Sequence, residues 1–192
     1  YRNSTETIFI SKHARNSIEP ILGNCTRTSL IHHGISCDFR EKWFKPVINE
    51  TVNFVYTSAF EPYKLHLELL NILEQLVDNS NCNVSLTCIG SQSHTGYYNR
   101  VQEKLNCITS DIDYIELSGL SHSEMLNVYR ASHVFIFPSM CENMPNALLE
   151  AKSYGMPVVA FSRSGTAEFL EDHDVLIDPF DVDSSVKQII EL

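Results

Sequence analysis

Residues 134–161 read VFIFPSMCENMPNALLEAKSYGMPVVAF, and the interpretation of the whole chain starts from this stretch. The short apolar run at residues 134–137 predicts a strand buried in a parallel sheet. Pro138 and Ser139 end that strand. A second apolar run at residues 157–161 predicts the next strand of the same sheet, so the segment reads as strand, loop, helix and strand.

The helix between these strands is predicted from its end signals. Asn143 can cap the helix, and Pro145 suits its first turn because proline lacks the N–H group that a first turn leaves unpaired. Residues 147–151 continue the helix, and Gly155 ends it.

Two carboxylates lie eight positions apart in this segment, Glu142 in the loop and Glu150 inside the helix. The helix N-terminus between them offers unpaired N–H groups and a partial positive charge, which favour phosphate. Glu150 lies about 7 Å along the helix axis, where it could hold hydroxyl groups on one side of a diphosphate. Glu142 could hold hydroxyl groups on the other side. A nucleotide sugar has this layout; the alternative is a pair of surface glutamates beside an ordinary helix.

The sequence ENMPNALLEA, followed by SYGMPVVA, resembles the E-x7-E motif of retaining GT-B glycosyltransferases, family 4 in particular. The resemblance implies that Glu150 binds the ribose of the donor and that Glu142 is a catalytic residue in contact with the donor sugar. It also implies that the loop after Glu142 presents its backbone to the sugar and the phosphates. The donor-binding residues expected there are Asn143, Met144, Pro145 and Asn146. Asn143 stands where the family often has glycine.

A cation for the diphosphate is expected after the strand predicted at residues 53–57. In the family this strand ends in a Gly-Arg pair with a lysine just beyond it, and both cations hold the diphosphate. Here Ser58 and Ala59 replace that pair, and Lys64 stands where the lysine is expected. The resemblance therefore assigns Lys64 a catalytic role and Ser58 a place in the donor site. The alternative for Lys64 is a solvated lysine at the start of a helix.

A turn for the nucleotide base follows the strand predicted at residues 113–117. In the family this turn abuts the base, which implies that Gly119 and Leu120 bind it; an ordinary strand-to-helix turn is the alternative. Ser121 and Glu124 form a capping box that opens the next helix.

Strands and helices alternate from residue 52 onward, which predicts an α/β fold with a doubly wound, Rossmann-like parallel sheet. The resemblance identifies this fold as a GT-B C-terminal domain. Strands are also predicted at residues 84–89 and 174–178, and helices at residues 65–77, 97–106 and 182–192. The leucines and isoleucines of the first of these helices form one apolar stripe.

We predict two parts, residues 1–48 and residues 49–192. The first resembles the end of a GT-B N-terminal domain with its interdomain linker, and the second is the donor-binding domain. The first part contains predicted strands at 7–11 and 29–34 and a helix at 12–22 that is interrupted near Pro20.

Two features of the first part invite other interpretations. His32 and His33 suggest a metal site or a base, but no third ligand is nearby, so we interpret them as linker histidines. Residues 38–47 are predicted to be a connector whose aromatic side chains, Trp43 and Phe44, pack onto the main domain.

The amino-acid composition limits which binding partners and which cellular compartment we expect for this protein. The 192 residues are 43% hydrophobic, enough for a core, and the formal net charge of −10 argues against nucleic acid as a partner. The sequence contains no apolar run long enough to span a bilayer, which leaves peripheral membrane contact open. The six cysteines form no C-x-x-C pair, so we interpret them as reduced and structural, and the protein as cytoplasmic.

No metal or cofactor is expected. Asp111 and Asp113 form a D-x-D sequence, the metal signature of a different glycosyltransferase fold, but they enter a strand at the amino edge of the sheet, whereas ligands gather at the carboxyl edge. A GT-B phosphorylase would need a lysine for pyridoxal phosphate near Ser164-Gly165-Thr166, where the sequence has none. Sugar-nucleotide epimerases are a further GT-B class.

The resemblance thus implies sugar transfer from a nucleotide-diphosphate sugar, with UDP as the favoured nucleotide, to a sugar, lipid-linked or protein acceptor. The acceptor would bind an N-terminal domain that this chain lacks, so we expect the isolated chain to bind donor without transferring it. The alternative is a degenerate or split module that binds a nucleotide sugar and leaves catalysis to a partner.

Overall fold

The computed structural model describes residues 4–22, 27–36, 43, 50–80 and 82–192, in which strands and helices alternate. The strands are β1 Thr7–Phe9, β2 Thr28–Leu30, β3 Thr51–Thr57, β4 Asn83–Ile89, β5 Ile112–Leu117, β6 Val134–Phe137, β7 Val158–Phe161 and β8 Val175–Ile177. The helices are α1 Lys12–Leu22, α2 His66–Asn79, α3 Thr95–Cys107, α4 His122–Ala131, α5 Asn146–Tyr154 and α6 Val182–Ile190. Short 3₁₀ helices, Pro62–Lys64 and Gly165–Phe169, follow β3 and β7.

Six strands form one parallel sheet in the order β5-β4-β3-β6-β7-β8. This order confirms the predicted Rossmann-like, doubly wound fold. The direction of winding reverses between β3 and β6, so the loops that follow these two strands diverge and leave a crevice at the carboxyl edge. The fold therefore brings together the loop that ends at Lys64 and the loop that contains Glu142.

The core lies between this sheet and its helices. All residues of β6 and β7 are buried, as expected for central parallel strands that are covered on both faces. The predicted apolar stripe of α2 is confirmed, because Leu69, Ile72, Leu73 and Leu76 are all buried. The buried sheet provides a rigid support for the loops at its carboxyl edge.

Helix α5 begins later than the sequence predicts. Its first residue is Asn146 and Pro145 is its N-cap, so the prediction of Asn143 as the cap and of Pro145 in the first turn is wrong. The physical reason is local, because the residue before a proline avoids the helical conformation and Met144 therefore cannot continue a helix into Pro145. Gly155 ends the helix as predicted, in the left-handed conformation.

The N-terminal residues form a small unit of their own. Strands β1 and β2 pair in parallel with each other and belong to a separate sheet from the six-stranded one. Helix α1 connects them and continues past Pro20 to Leu22, so the predicted interruption is wrong. The missing N–H of Pro20 falls near the end of the helix, where its effect is local.

The connection between the two parts falls mostly outside the described residues, including Phe44 and the predicted boundary at residues 48 and 49. Trp43 is described and packs onto the main domain as predicted. Its backbone N–H donates to the Tyr154 carbonyl at 2.9 Å, and its indole N–H donates to the Ser132 carbonyl at 3.4 Å.

Four cysteines lie in the described residues, and all are free thiols. Only Cys88 is buried, and burial raises the pKa of its thiol to about 12. Cys82, Cys107 and Cys141 are exposed, so their interpretation as structural residues is wrong. Cys25 and Cys37 lie outside the described residues.

None of the helices in the described part of the chain has the length and hydropathy needed to cross a membrane.

Candidate functional site

The crevice at the carboxyl edge contains an ion pair between Lys64 and Glu142. Lys64 ends the 3₁₀ helix after β3, and its ammonium donates to Oε1 of Glu142 in the loop after β6. The hydroxyl of Ser139 donates to the same carboxylate oxygen at 2.6 Å. Only 14% of the Lys64 side chain and 11% of the Glu142 side chain are exposed. The two residues predicted to be catalytic are therefore neighbours in a largely shielded position.

The local structure around Lys64 holds its side chain in the crevice. Its ammonium lies 5.1 Å from the ring centroid of Tyr63 and 5.6 Å from that of Phe137, within the range of cation–π attraction. The hydroxyl of Tyr56 donates to the backbone carbonyl of Lys64 at 2.7 Å. Leu65 then turns the chain with a φ of 56°, a conformation that costs a non-glycine residue about 1–3 kcal/mol.

The loop after β6 contains the residues predicted to contact the donor through their backbone, and that role stays a prediction. The Met140 N–H donates to the Tyr63 carbonyl at 2.9 Å, which joins this loop to the Lys64 loop. Asn143 and Asn146 are exposed, whereas Met144 and Pro145 are buried. The backbone N–H groups of the first turn of α5 have no carbonyl partner within the helix and can therefore bind an anion.

Glu150 is half-buried on α5. Burial raises the pKa of its carboxyl above the ordinary value, and the nearby His122 opposes that shift. The pKa of the buried Tyr129 hydroxyl is raised mainly by burial and also by the charge of Glu150. The carboxylate of Glu150 therefore lies in a poorly hydrated position, where keeping it ionised costs free energy.

Ser58 is buried at the end of β3. Its hydroxyl donates to the Ala59 carbonyl at 3.1 Å, and its N–H donates to the Ile89 carbonyl at 2.8 Å. Both donor groups of Ser58 are thus bonded to the chain, and a role in donor binding stays a prediction.

The predicted base-binding turn lies at the same edge of the sheet. Gly119 is exposed after β5 with a φ of +67°, and Leu120 is half-buried against the core. The capping box of Ser121 and Glu124 is present and starts α4. The structure therefore leaves the backbone of Gly119 accessible, as binding to a base would require.

Sequence reasoning missed a set of N-terminal residues that contact the Glu142 loop and the nearby Glu168. The hydroxyl of Ser11 donates to the side-chain oxygen of Asn143, and Nε2 of His33 lies 3.1 Å from the Met144 carbonyl oxygen. Nε2 of His32 lies 3.3 Å from Oε1 of Glu168. The two histidines therefore bind the main domain, and their interpretation as plain linker residues is incomplete. These partners lie more than 100 positions apart, so no local pattern indicates them.

Gly165 allows a close approach of the chain to the Glu142 loop. A Cβ at position 165 would lie 2.4 Å from the carbonyl oxygen of Glu142 and 3.1 Å from that of Asn143. Only glycine fits between these groups, because real Cβ atoms do not come so close to backbone oxygen.

In the part of the chain that the structure describes, no group of three or more His, Cys, Asp or Glu side chains is arranged to hold a metal ion. Asp111 and Asp113 lie at the start of β5, on the edge of the sheet opposite the crevice.

The chain is similar in sequence to a known glycosyltransferase and similar in fold to solved structures. The chain is 25% identical over 157 residues to the capsular polysaccharide biosynthesis glycosyltransferase CapH of Staphylococcus aureus, covering 82% of this chain and 42% of CapH. It superimposes on Anabaena HepE in complex with UDP and glucose with a TM-score of 0.76 and 15% identity, covering 99% of this chain and 54% of HepE. Sucrose-phosphate synthase of Thermosynechococcus elongatus gives a TM-score of 0.77 and 19% identity, covering 98% of this chain and 49% of the synthase.

The chain thus spans about half the length of these relatives, or less. The likeness to the two solved structures shows the fold, and a match to a family model covers the whole six-stranded domain. Residues 51–192 match the model described as Glycosyl transferases group 1, and the chain belongs to that family.

Proposed function

We propose that this chain is the donor-binding part of a retaining glycosyltransferase that takes a sugar from a nucleotide-diphosphate sugar without a metal ion. The proposal rests on the ion pair between Lys64 and Glu142. This pair lies in the crevice of a doubly wound sheet, beside the N-terminus of α5. Ligands of such sheets bind at this position.

Each part of the donor has a matching group. The diphosphate would lie between the Lys64 ammonium and the first-turn N–H groups of α5. Glu142 would bind the hydroxyl groups of the sugar, and Glu150 those of the ribose. The base would lie against the Gly119–Leu120 turn. UDP is the favoured nucleotide, supported by the UDP and glucose bound to HepE, which has the same fold.

The chemistry proposed for the site is stabilisation of the leaving group. When the bond between the sugar and the diphosphate breaks, negative charge grows on the departing phosphate oxygen. A shielded ammonium and oriented N–H groups stabilise that charge without needing to reorganise. The sugar is then transferred to a sugar, lipid-linked or protein acceptor held by an N-terminal domain. We place the reaction in the cytoplasm, where the protein could also contact a membrane surface peripherally.

The test is calorimetry of the 192-residue chain with UDP, GDP, ADP and uridine. We expect UDP to bind more tightly than uridine, and Lys64→Ala together with Glu150→Ala to abolish measurable UDP binding. If none of the three diphosphates binds the wild-type chain, the proposal is wrong.

A second candidate is a degenerate or split module that binds the donor and leaves catalysis to a partner. Ser58 and Ala59 favour it, because they stand where the family has a Gly-Arg pair and so remove one of the two expected phosphate cations. The isolated chain is expected to be inactive under both candidates, so a radiolabelled-donor assay must be repeated with an added N-terminal domain. Turnover that appears on this addition and is lost in Glu142→Ala supports the transferase, and its absence supports the module.

A further inference from the structure

We propose that Glu168 is a positioning residue: its carboxylate holds the N-terminal segment against the loop after Glu142 and thereby maintains the loop shape that binds the donor diphosphate. This inference rests on the proposed function of that loop. It also gives residues 4–22 and 27–36 a role in donor binding, although they lie outside the six-stranded domain.

The first step of the argument is the contact of Glu168 with helix α1. Oε1 of Glu168 accepts from the Lys12 N–H at 2.8 Å, and Oε2 accepts from the His13 N–H at 3.0 Å. These N–H groups begin an 11-residue helix and have no partner within it. The carboxylate therefore caps a helix that lies 155 positions away in the chain.

The charge of Glu168 suits this role. Its side chain is only 10% exposed, and burial alone would raise its pKa. The hydrogen bonds from Lys12 and His13, together with the neighbouring His32, outweigh burial and lower the pKa below its ordinary value. The carboxylate thus stays ionised and complements the positive end of the α1 dipole.

The second step is that the start of α1 holds the candidate donor loop. Ser11 is fully buried, and its hydroxyl accepts from the Ala14 N–H at 3.0 Å while it donates to the side chain of Asn143. Nε2 of His33 lies 3.1 Å from the carbonyl of Met144. Both contacts therefore fall on the two residues that directly follow Glu142.

The third step is the packing of three segments around one point. A Cβ at Gly165 would meet the Glu142 carbonyl at 2.4 Å and the His13 ring at 3.1 Å. The turn that carries Glu168, the start of α1 and the Glu142 loop are thus in mutual contact. Release of α1 by loss of Glu168 would remove the Ser11 contact from Asn143 and leave that side of the loop without its support.

The first experiment measures the loop itself and does not depend on nucleotide binding. Hydrogen exchange of the peptide covering residues 141–148 is compared in the wild type, Glu168→Ala and Ser11→Ala. We expect exchange to be faster by about tenfold or more in Glu168→Ala, which loses charge-assisted hydrogen bonds, and faster by a smaller factor in Ser11→Ala, which loses a neutral one. Glu168→Gln keeps one acceptor oxygen and should lie between the wild type and Glu168→Ala.

Glu171→Gln is the matched control. Glu171 lies three positions further on, has a side chain that is 68% exposed and pairs with Lys152 on α5. Its substitution should leave exchange of the loop unchanged.

The second experiment connects the loop to the ligand. In Glu168→Ala the dissociation constant for UDP should rise about tenfold, while that for uridine should change less than twofold, because the base and ribose contacts lie elsewhere. Asn143→Ala in the Glu168→Ala background should add little further loss, since both substitutions break the same connection.

The outcomes separate the two proposals. Unchanged exchange of residues 141–148 in Glu168→Ala overturns the positioning role, and so does an equal loss of UDP and uridine binding with a lower Tm, which indicates a general folding defect. Faster exchange of the loop, in a chain whose wild type binds no diphosphate, supports the contact and overturns the proposed function.

Discussion

The ammonium of Lys64 and the carboxylate of Glu142, 78 positions apart in the chain, form an ion pair across the crevice between β3 and β6. Because both side chains are largely shielded from water, each charge depends on the other. A diphosphate that enters the crevice must compete with Glu142 for Lys64. A donor sugar can use the carboxylate that this competition releases.

The first prediction concerns Lys64→Ala. UDP should lose its advantage over UMP in this variant, because Lys64 is proposed to bind the diphosphate, and the change should be about 1–3 kcal/mol. Calorimetry with UDP, UMP and uridine measures it. The control is Lys104→Ala, which removes the partner of Glu74, 2.6 Å away on α2, in a second lysine–glutamate pair whose side chains are each 26% exposed. An equal loss of affinity for all three ligands would assign Lys64 a structural role only.

The second prediction is that Glu150→Gln has opposite effects on binding and on stability. UDP binding should weaken by about 1–3 kcal/mol if the carboxylate holds the ribose. The folded pKa is raised by burial, so ionised Glu150 destabilises the folded state at pH values above that pKa. The variant should therefore have a higher free energy of unfolding at pH 7.

This gain in stability should disappear as the pH falls below 4.5, the ordinary pKa of glutamate, because Glu150 is then protonated in both the folded and the unfolded state. Urea unfolding at pH 7 and pH 4 measures the effect. Glu103→Gln, on the exposed face of α3, is the control and should change neither property. If Glu150→Gln is less stable than the wild type at pH 7, the carboxylate stabilises the fold, and the assignment of Glu150 to ribose binding at a cost in stability is contradicted.

The third prediction concerns His66, which is buried two positions after Lys64 in the chain. It is 2% exposed, stacks on Phe60 with ring centroids 4.5 Å apart, and neither ring nitrogen has a hydrogen-bond partner among the described residues. Burial, with a contribution from the Lys64 charge, lowers its pKa from 6.5 to about 3. His66 is therefore a neutral ring that packs as an aromatic residue.

His66 makes the wild type sensitive to acid. Below pH 6.5 the unfolded chain binds a proton that the folded chain does not bind until about pH 3, so stability falls as the pH decreases through this window. His66→Phe should remove this loss and unfold at higher urea concentration than the wild type at pH 5. The exposed His173 provides the control substitution, His173→Gln. Parallel pH profiles of His66→Phe and the wild type would show that His66 does not titrate in this way.

The fourth prediction compares two glycines. Gly165→Ala places a Cβ 2.4 Å from the Glu142 carbonyl and must displace the loop, so UDP affinity should fall by more than tenfold, about 1.4 kcal/mol. Gly96→Ala on α3 meets only the His94 side chain, with Cε1 at 3.6 Å and Nδ1 at 3.8 Å, and should be neutral or slightly stabilising. Calorimetry and thermal unfolding of both variants measure these effects. Wild-type UDP affinity in Gly165→Ala would mean that the loop does not bind the donor.

The sequence by itself determined the doubly wound sheet. Runs such as residues 134–137 and 157–161 are apolar throughout, and between them comes a helix that ends at Gly155. Such patterns are local: a strand buried on both faces is recognised from a run of consecutive apolar residues, and the end of a helix from a glycine. The resemblance to the E-x7-E motif is likewise local, because it depends on the spacing of eight positions between Glu142 and Glu150.

Only the tertiary structure decided which groups surround those two glutamates. The contact of Ser11 with Asn143, next to Glu142, joins residues 132 positions apart. The pairing of Lys64 with Glu142 and the capping of α1 by Glu168 join segments that only the order of the strands brings together. Such contacts depend on chain topology, which the local pattern of apolar and polar residues does not reveal.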